Sequence, residues 1–238
     1  MALDALFFGA HPDDIELTCG GLAALLASHG HGVGLVDMTR GELGTRGDVE
    51  TRAAEAAAAG RALGAASRDN LALPDGGLNR HDRAQLVAVV ECLRRHRPLL
   101  VVAPHRDDEH PDHAEASQLV SRACYLSGLA RYPASGERFR PARLLHSLYR
   151  GDSRAQLVID VTPVWEKRMA ALRCHASQLD PALGPATYLT APGFIAEVEA
   201  RGRVWGALAG GTYGEGYRCR GPVALSDARA LLAGGKVG

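Results

Sequence analysis

The stretch FFGAHPDDIELTCGG, residues 7 to 21, passes from apolar residues through one histidine and two adjacent carboxylates into a helical pattern. A second short apolar run, VGLVDMT at 33 to 39, is also followed by a helical segment, at 48 to 64, which opens at a plausible Asp48 cap. Short apolar strands that alternate with helices form parallel sheets covered on both faces. We therefore predict a Rossmann-like α/β fold with a mostly parallel sheet.

Later segments extend this pattern. The first half continues with a weaker strand (69–74), a helix (81–97) and a clear buried strand (99–104). The part after residue 140 holds two strand candidates (143–150 and 156–164) and two long helical patterns (163–178 and 192–210). No linker composition separates the halves, so we predict one domain over residues 1–238 with a C-terminal elaboration.

Composition narrows the class of partner. Lys plus Arg and Asp plus Glu both number 27, so no field of one sign favours nucleic acid or an anionic membrane. The N-terminus lacks a signal-peptide pattern, and no apolar run reaches membrane-spanning length. An odd number of dispersed cysteines is typical of free thiols in a reducing compartment. We expect a cytoplasmic protein with a small-molecule partner. The cysteines are Cys19, Cys92, Cys124, Cys174 and Cys219.

Polar residues concentrate in the loops that follow the predicted strands. These loops read HPDDIE, RGELGTRG, PDGGLN and HRDDEHPDH. In an open parallel sheet, ligands bind beyond the carboxyl ends of the strands, which is where these loops lie. The sequence therefore predicts one site built from four loops.

Two of these loops carry donors for a metal ion, His-Pro-Asp-Asp at 11–14 and His-Pro-Asp-His at 110–113. Two imidazoles and one carboxylate suit a divalent metal and leave a position open for water. A dinucleotide site is excluded, because the first loop lacks GxGxxG and carries two acids where a pyrophosphate would bind. Gly20 and Gly21 are then interpreted as small residues at a close helix–sheet contact.

The strings FGAHPDDIELTCGG, VDMTRGELGTRG, ETRAAEA, NLALPDG and HPDH together resemble the PIG-L/LmbE-like family of metal-dependent N-acetylglucosaminyl deacetylases. The resemblance covers residues 5 to 130 and continues more weakly through KRMAALRCHASQ and EGYRCRGPVAL. The RGELGTRG and LPDG segments are most similar to the bacillithiol-biosynthesis branch, which removes acetyl from N-acetylglucosaminyl malate. The resemblance also implies a homo-oligomer.

The resemblance implies a role for each motif residue. His11, Asp14 and His113 would bind zinc, with iron(II) as an alternative metal. Asp13 would be the general base that takes a proton from water. His110 would stabilise or protonate the tetrahedral intermediate, with Asp112 orienting its ring and raising its pKa. Asp112 could also cap the helix that starts near His113.

Substrate recognition is less sharply indicated. The resemblance assigns Arg52 to substrate binding, and Arg46 is a candidate cation for a malate carboxylate. Asp75 could bind a sugar hydroxyl or build a Pro-Asp-Gly turn. The alternative substrates are an inositol conjugate of the mycothiol type and a chito-oligosaccharide. His175, Gln178 and Glu215 receive no role, and the three acids at 107–109 are interpreted as solvated.

Two interpretations from other classes stay open. Two histidines and one carboxylate also describe non-haem iron(II) oxygenases, although the parallel α/β pattern argues against their usual fold. The second interpretation is a non-enzymatic sugar- or nucleotide-binding module. Such a module would not need a general base such as Asp13 beside a metal.

Overall fold

A single mixed sheet of seven strands carries the described part of the chain, residues 3–149 and 155–221 of the computed structural model. The strands are β1 (Ala5–Gly9), β2 (Val33–Thr39), β3 (Ser67–Leu73), β4 (Leu100–Pro104), β5 (Arg143–Ser147), β6 (Leu157–Asp160) and β7 (Gly214–Cys219). Their order is β3-β2-β1-β4-β5-β7-β6. The first five are parallel, whereas β7 runs antiparallel to both β5 and β6. The predicted Rossmann-like fold is confirmed.

Helices cover both faces of this sheet. The described residues form α1 (Asp14–Thr18), α2 (Gly20–Ser28), α3 (Val49–Leu63), α4 (Arg83–His96), α5 (Pro111–Leu126), α6 (Trp165–Arg173), α7 (Ala176–Leu179) and α8 (Phe194–Ala209). Short 3-10 turns lie at Thr162–Val164, Pro181–Leu183 and Tyr188–Thr190. None of the described helices is long and apolar enough to cross a membrane.

Two apolar cores, one on each face, explain why the strands read as continuous apolar runs. Successive side chains of a strand point to opposite faces, so Phe7 joins one core and Phe8 the other. The Phe7 core includes residues of α2, α3, α6 and α8, and the Phe8 core includes residues of α4 and α5. Asp48 caps α3 as predicted, accepting a hydrogen bond from the Thr51 amide at 2.7 Å.

The predicted first helix is in fact two helices, α1 and α2, which meet at Cys19. The Glu215 carboxylate accepts from the amides of Gly21 and Leu22 at 2.7 and 2.8 Å, which gives α2 its own N-terminus. A Cβ on Gly21 would lie 2.7 Å from Glu215 Oε1. Close approach is therefore the reason for this glycine, but its partner is a buried carboxylate.

Strand β7, which carries Glu215, was not predicted. Its sequence GEGYRC combines two glycines with two charged residues, so it shows neither alternation nor an apolar run. The segment RCHASQ also differs from prediction, because α6 ends at Arg173 and α7 begins at Ala176. His175 and Gln178 therefore do not share one helix face. The last residue of the predicted strand 143–150 and residues 222–225 of the EGYRCRGPVAL segment lie outside the described residues.

Candidate metal centre

The four loops predicted to meet at the carboxyl edge of the sheet do meet there, around a cavity of about 860 Å³. Asp13, Leu43, Asp75 and His113 represent the first, second, third and fourth loops in its lining. Tyr188, from the C-terminal part of the chain, also lines it. The cavity therefore lies where the parallel strands β1 to β4 end.

His11, Asp14 and His113 form a compact cluster in this cavity. Asp14 lies between the two rings: its Oδ2 is 3.5 Å from His11 Nδ1, and its Oδ1 is 3.2 Å from His113 Nε2. Asp14 Oδ2 also accepts a hydrogen bond from the His11 amide at 2.8 Å, which fixes the carboxylate at the start of α1. Both histidine side chains are 12% exposed. One carboxylate thus lies next to two ring nitrogens, and His11 and His113 together with His110 form a group whose donor nitrogens all lie within 4.8 Å of one another and could hold a metal ion.

The His11 and His113 rings are surrounded by more carboxylates than the one that lies between them. Burial lowers the pKa of His11, but Asp112, Asp14 and Asp75 raise it further, to about 12. Burial likewise lowers the pKa of His113, whereas Asp14 and Asp108 raise it to about 10. Burial raises the pKa of Asp14, yet the two histidines hold it well below its usual range. The surrounding carboxylates therefore favour positive charge at this place, which a divalent cation would supply.

Further carboxylates hold the outer nitrogen of each ring. Asp108 Oδ1 lies 3.2 Å from His113 Nδ1, and Asp75 Oδ1 and Asp112 Oδ2 lie 3.0 and 3.3 Å from His11 Nε2. Metal-binding histidines commonly donate their second ring N–H to a carboxylate, which fixes ring orientation. Asp108 was predicted to be a solvated loop acid, and this prediction is wrong. Three adjacent acids in DDE give no indication of which one turns inward.

Asp13 lies beside this cluster on a strained backbone. Its φ of 126° is in the region that favours glycine, and its side chain makes no cap hydrogen bond to α1. The Arg52 guanidinium lies 3.7 Å from Asp13 Oδ2 and donates at 2.9 Å to the carbonyls of Pro12 and Gly41. Burial raises the pKa of Asp13 to about 6, against the lowering effect of Arg52. Strain of this kind is commonly found at functional sites.

Arg52 also explains a glycine of the second loop. Gly41 has φ 68°, and a Cβ at this position would overlap the Arg52 guanidinium. The RGELGTRG loop therefore wraps around Arg52. This arginine, which is predicted to bind substrate, lines the cavity, and its hydrogen bonds tie together the loops after β1 and β2.

His110 lies at the mouth of the cavity with its ring stacked on His113, 4.7 Å between centroids. It caps α5, because its Nδ1 accepts from the Asp112 amide at 3.2 Å; Asp112 is therefore not the cap. The Asp112 carboxylate accepts instead from the Gly76 and Leu78 amides. Burial, His113 and His11 lower the pKa of His110 more than Asp14 and Asp112 raise it. Asp112 does raise the pKa of His110, as expected, but it contacts this ring through its backbone amide and not through its carboxylate, and the net shift is downward.

Arg46 and Asp75, both predicted to bind substrate, are already engaged. The Arg46 guanidinium donates to the backbone carbonyls of Ser177, Asp180 and Pro185, and Arg46 is absent from the described cavity lining. These contacts join the second loop to α7 and to the segment after it. Asp75 lines the cavity, but one oxygen accepts from His11 and the other from the Leu43 amide at 2.8 Å. We therefore carry neither residue into the substrate site proposed below.

The three unassigned residues are all buried. His175 Nε2 lies 3.3 Å from Glu16 Oε2 beneath α1, and Glu16 also pairs with Arg68 at 2.6 Å. Gln178 lines the cavity and donates to the Arg46 carbonyl at 2.7 Å. Glu215, besides starting α2, lies 3.2 Å from Arg168 Nε. Sequence reasoning missed these pairings because their members are far apart along the chain.

The fold and the cluster together define an α/β protein with a histidine–carboxylate centre at the carboxyl edge of its sheet. A family profile for PIG-L, GlcNAc-PI de-N-acetylase, matches residues 6–124. The chain belongs to the PIG-L family of deacetylases. That span contains His11, Asp13, Asp14, Arg52 and all of the fourth loop. His175, Gln178 and Glu215 lie outside it.

Individual relatives agree on the family but differ in activity. The 1D-myo-inositol 2-acetamido-2-deoxy-alpha-D-glucopyranoside deacetylase of Rhodococcus opacus is 26% identical over 86% of this chain and 97% of its own. The 4-oxalmesaconate hydratase of Pseudomonas putida is 28% identical over 73% of each chain. The crystal structure of the conserved protein TT1542 from Thermus thermophilus is similar with a TM-score of 0.86 and 36% identity, covering 94% of this chain and 97% of that chain. None of these relatives indicates the bacillithiol branch in particular, and the inositol alternative has the better support.

Proposed function

We propose that this protein is a metal-dependent N-deacetylase that acts on a GlcNAc conjugate whose aglycone is uncharged, such as an inositol. The observation that carries the proposal is the cluster of His11, Asp14 and His113 beside Asp13, whose carboxylate sits on a strained backbone and pairs with Arg52. The sequence motifs favour the malate conjugate as substrate and leave the inositol conjugate as an alternative; we propose the inositol conjugate.

In this proposal His11, Asp14 and His113 hold a divalent metal, zinc or iron(II). When bound, such a metal lowers the pKa of water to about 7 and polarises a carbonyl. Asp13 is the general base, because its carboxylate faces the cavity and makes no cap bond. Its pKa of about 6 leaves it ionised at neutral pH yet basic enough to take a proton. Asp13 then returns that proton to the leaving amine.

His110 is assigned to the oxyanion that forms as the amide carbonyl is attacked. Since Nδ1 accepts from the Asp112 amide, a neutral His110 ring carries its proton on Nε2. The ring can therefore donate a hydrogen bond to the oxyanion without being charged. Asp112 acts through its backbone amide on His110 and through its carboxylate on His11.

The charge of the cavity supports an uncharged aglycone. Among the described residues, its lining contains six carboxylates, one guanidinium, that of Arg52, and four histidines, so the carboxylates stay in excess even with His11 and His113 positively charged. Arg52 already bonds to two carbonyls and lies beside Asp13. A malate aglycone would bring two carboxylates into this acidic surrounding, which raises their cost of ionisation. The hydroxyls of a polyol can instead donate to carboxylates.

Amine release from three substrates tests this proposal: GlcNAc-inositol, GlcNAc-malate and free GlcNAc, with zinc-loaded protein. We expect kcat/KM to be highest for the inositol conjugate. Asp107→Asn, which removes one carboxylate from the cavity lining, should raise the relative rate for malate. Asp4→Asn is the matched control, because Asp4 is an exposed acid just before β1, away from the carboxyl edge. A faster rate for malate in the wild-type protein would contradict the uncharged aglycone.

A hydratase is the second candidate, favoured by the identity to the Pseudomonas putida protein. Hydration of an unsaturated carboxylate could use the same general base. The acidic lining argues against a substrate with several carboxylates. Conversion of 4-oxalmesaconate without any amine release from the GlcNAc conjugates would replace the deacetylase proposal.

A further inference from the structure

A second group of metal-binding side chains lies outside the cavity, where α4 packs against the edge strand β3. Asp69 of β3 and Cys92 and His96 of α4 place one carboxylate oxygen, one sulfur and one ring nitrogen within 4.8 Å of one another. Cys92 is 1% exposed, and the His96 side chain 12%. None of the three lines the candidate active-site cavity.

The spacing within α4 suits metal binding. Residues four apart in a helix lie on one face, so Cys92 and His96 present their donors side by side, as two histidines do in the HExxH metal helix. Asp69 approaches from the neighbouring strand, with Oδ2 at 2.7 Å from His96 Nε2. His96 is also the last residue of α4, where the partial negative charge of a helix favours a cation.

We propose that Asp69, Cys92 and His96 form a second metal site, one that takes a thiophilic divalent ion such as Zn²⁺, Co²⁺ or Cd²⁺. Thiolate and imidazole prefer these ions over Mg²⁺ or Ca²⁺. Bond lengths of about 2.0–2.3 Å put tetrahedral ligand atoms about 3.5 Å apart, so Asp69 Oδ2 and His96 Nε2, which are 2.7 Å apart, separate by about 0.8 Å on binding. A water completes the coordination.

The Arg95 guanidinium supplies the positive charge next to Asp69 in this structure. Its Nη2 donates to Asp69 Oδ2 at 3.0 Å, and its side chain is 60% exposed. Such an exposed side chain can turn into solvent when the ion enters. Burial raises the pKa of the Cys92 thiol to about 12, so metal binding displaces a thiol proton and strengthens as pH rises. The bound ion would tie the edge strand β3 to α4.

Cobalt titration of the chelator-treated protein distinguishes this site from the catalytic one. The described lining of the active-site cavity contains no sulfur, so a thiolate-to-cobalt charge-transfer band reports the second site alone. We expect two Co²⁺ per wild-type chain and a band of that kind. Cys92→Ser should lose the band and one Co²⁺, and keep the other Co²⁺ and the deacetylase activity. Cys124→Ser, at another buried free thiol, should keep both.

His96→Gln serves as the second variant, because Cys92 is more deeply buried and its replacement can disturb packing. His96→Gln should also bind one Co²⁺ fewer than the wild type and show a weaker thiolate-to-cobalt band. Its far-ultraviolet circular dichroism spectrum should match that of the wild type. A wild-type chain that binds one Co²⁺ with no thiolate band would overturn the second site. A band that persists in Cys92→Ser would do the same, because another thiol would then be the ligand.

Discussion

Replacement of Asp13 by glycine should abolish activity and yet leave the protein more stable than replacement by alanine does. The residue holds φ 126°, a conformation that L side chains rarely adopt. Backbone strain of this kind costs about 1–3 kcal/mol, and glycine removes it. Glycine also loses about 0.5–1 kcal/mol relative to alanine through its greater freedom in the unfolded chain. Asp13→Gly should therefore be more stable than Asp13→Ala by up to about 2.5 kcal/mol, with a midpoint of about 1 kcal/mol.

The comparison with alanine isolates strain from charge, because both variants remove the buried carboxylate. Urea unfolding of the metal-free proteins measures the difference, and thermal unfolding should show about 2–4 °C per kcal/mol for a chain of this size. Ala57, exposed in the ordinary backbone of α3, is the control: Ala57→Gly should cost about 1 kcal/mol there. If Asp13→Gly is also less stable than Asp13→Ala, the backbone at Asp13 is not strained and the reasoning fails.

Four further predictions concern single side chains. Arg52→Lys cannot reach both carbonyls that Arg52 bonds, so kcat should fall about 10- to 100-fold in steady-state kinetics; an unchanged kcat would refute the positioning role. His110→Ala should lower kcat by about 10²–10³ with a smaller change in KM, and an equal loss in both would indicate a binding role. Glu215→Gln leaves Arg168 buried without its charge partner and should cost about 3 kcal/mol in urea unfolding; a loss below about 1 kcal/mol would refute the buried pair. The pKa of Asp13 is raised from a usual 3.8 to about 6, so the metal-free protein should lose stability as pH rises from about 4 to 6. Asp13→Asn should lose less stability over this pH range in urea unfolding. Identical pH profiles for the two proteins would refute the raised pKa.

The strands and the edge of the sheet that carries the site could be predicted, because they rest on local patterns. FFGA is apolar enough to be a buried strand, and the HPDD motif that follows must then lie at its carboxyl end. The same rule brings His113 from the fourth loop to the same edge. The convergence of His11, Asp14 and His113 therefore follows from topology together with the chemistry of the residue types.

The partners of individual side chains could not be predicted, because they depend on turns and on distant segments. Arg46 and Asp75 have the right charge for a substrate site, yet loop geometry directs their polar atoms to carbonyls and to His11. Asp108 differs from its acidic neighbours only in the turn that directs it to His113. Glu215 belongs to a strand without an apolar pattern and reaches α2 from 194 residues away in the chain.

The central claim is that Asp13 is the general base beside a bound metal ion and is not one of its ligands. Metal content and amine release from GlcNAc-inositol, measured together for wild type and Asp13→Asn in the Cys92→Ser background, test it most directly. We predict one bound metal per chain in both proteins, and a kcat lower by about 10²–10⁴ in the Asp13 variant. Loss of the metal in Asp13→Asn would make Asp13 a ligand, and full activity with the metal retained would remove it from the mechanism.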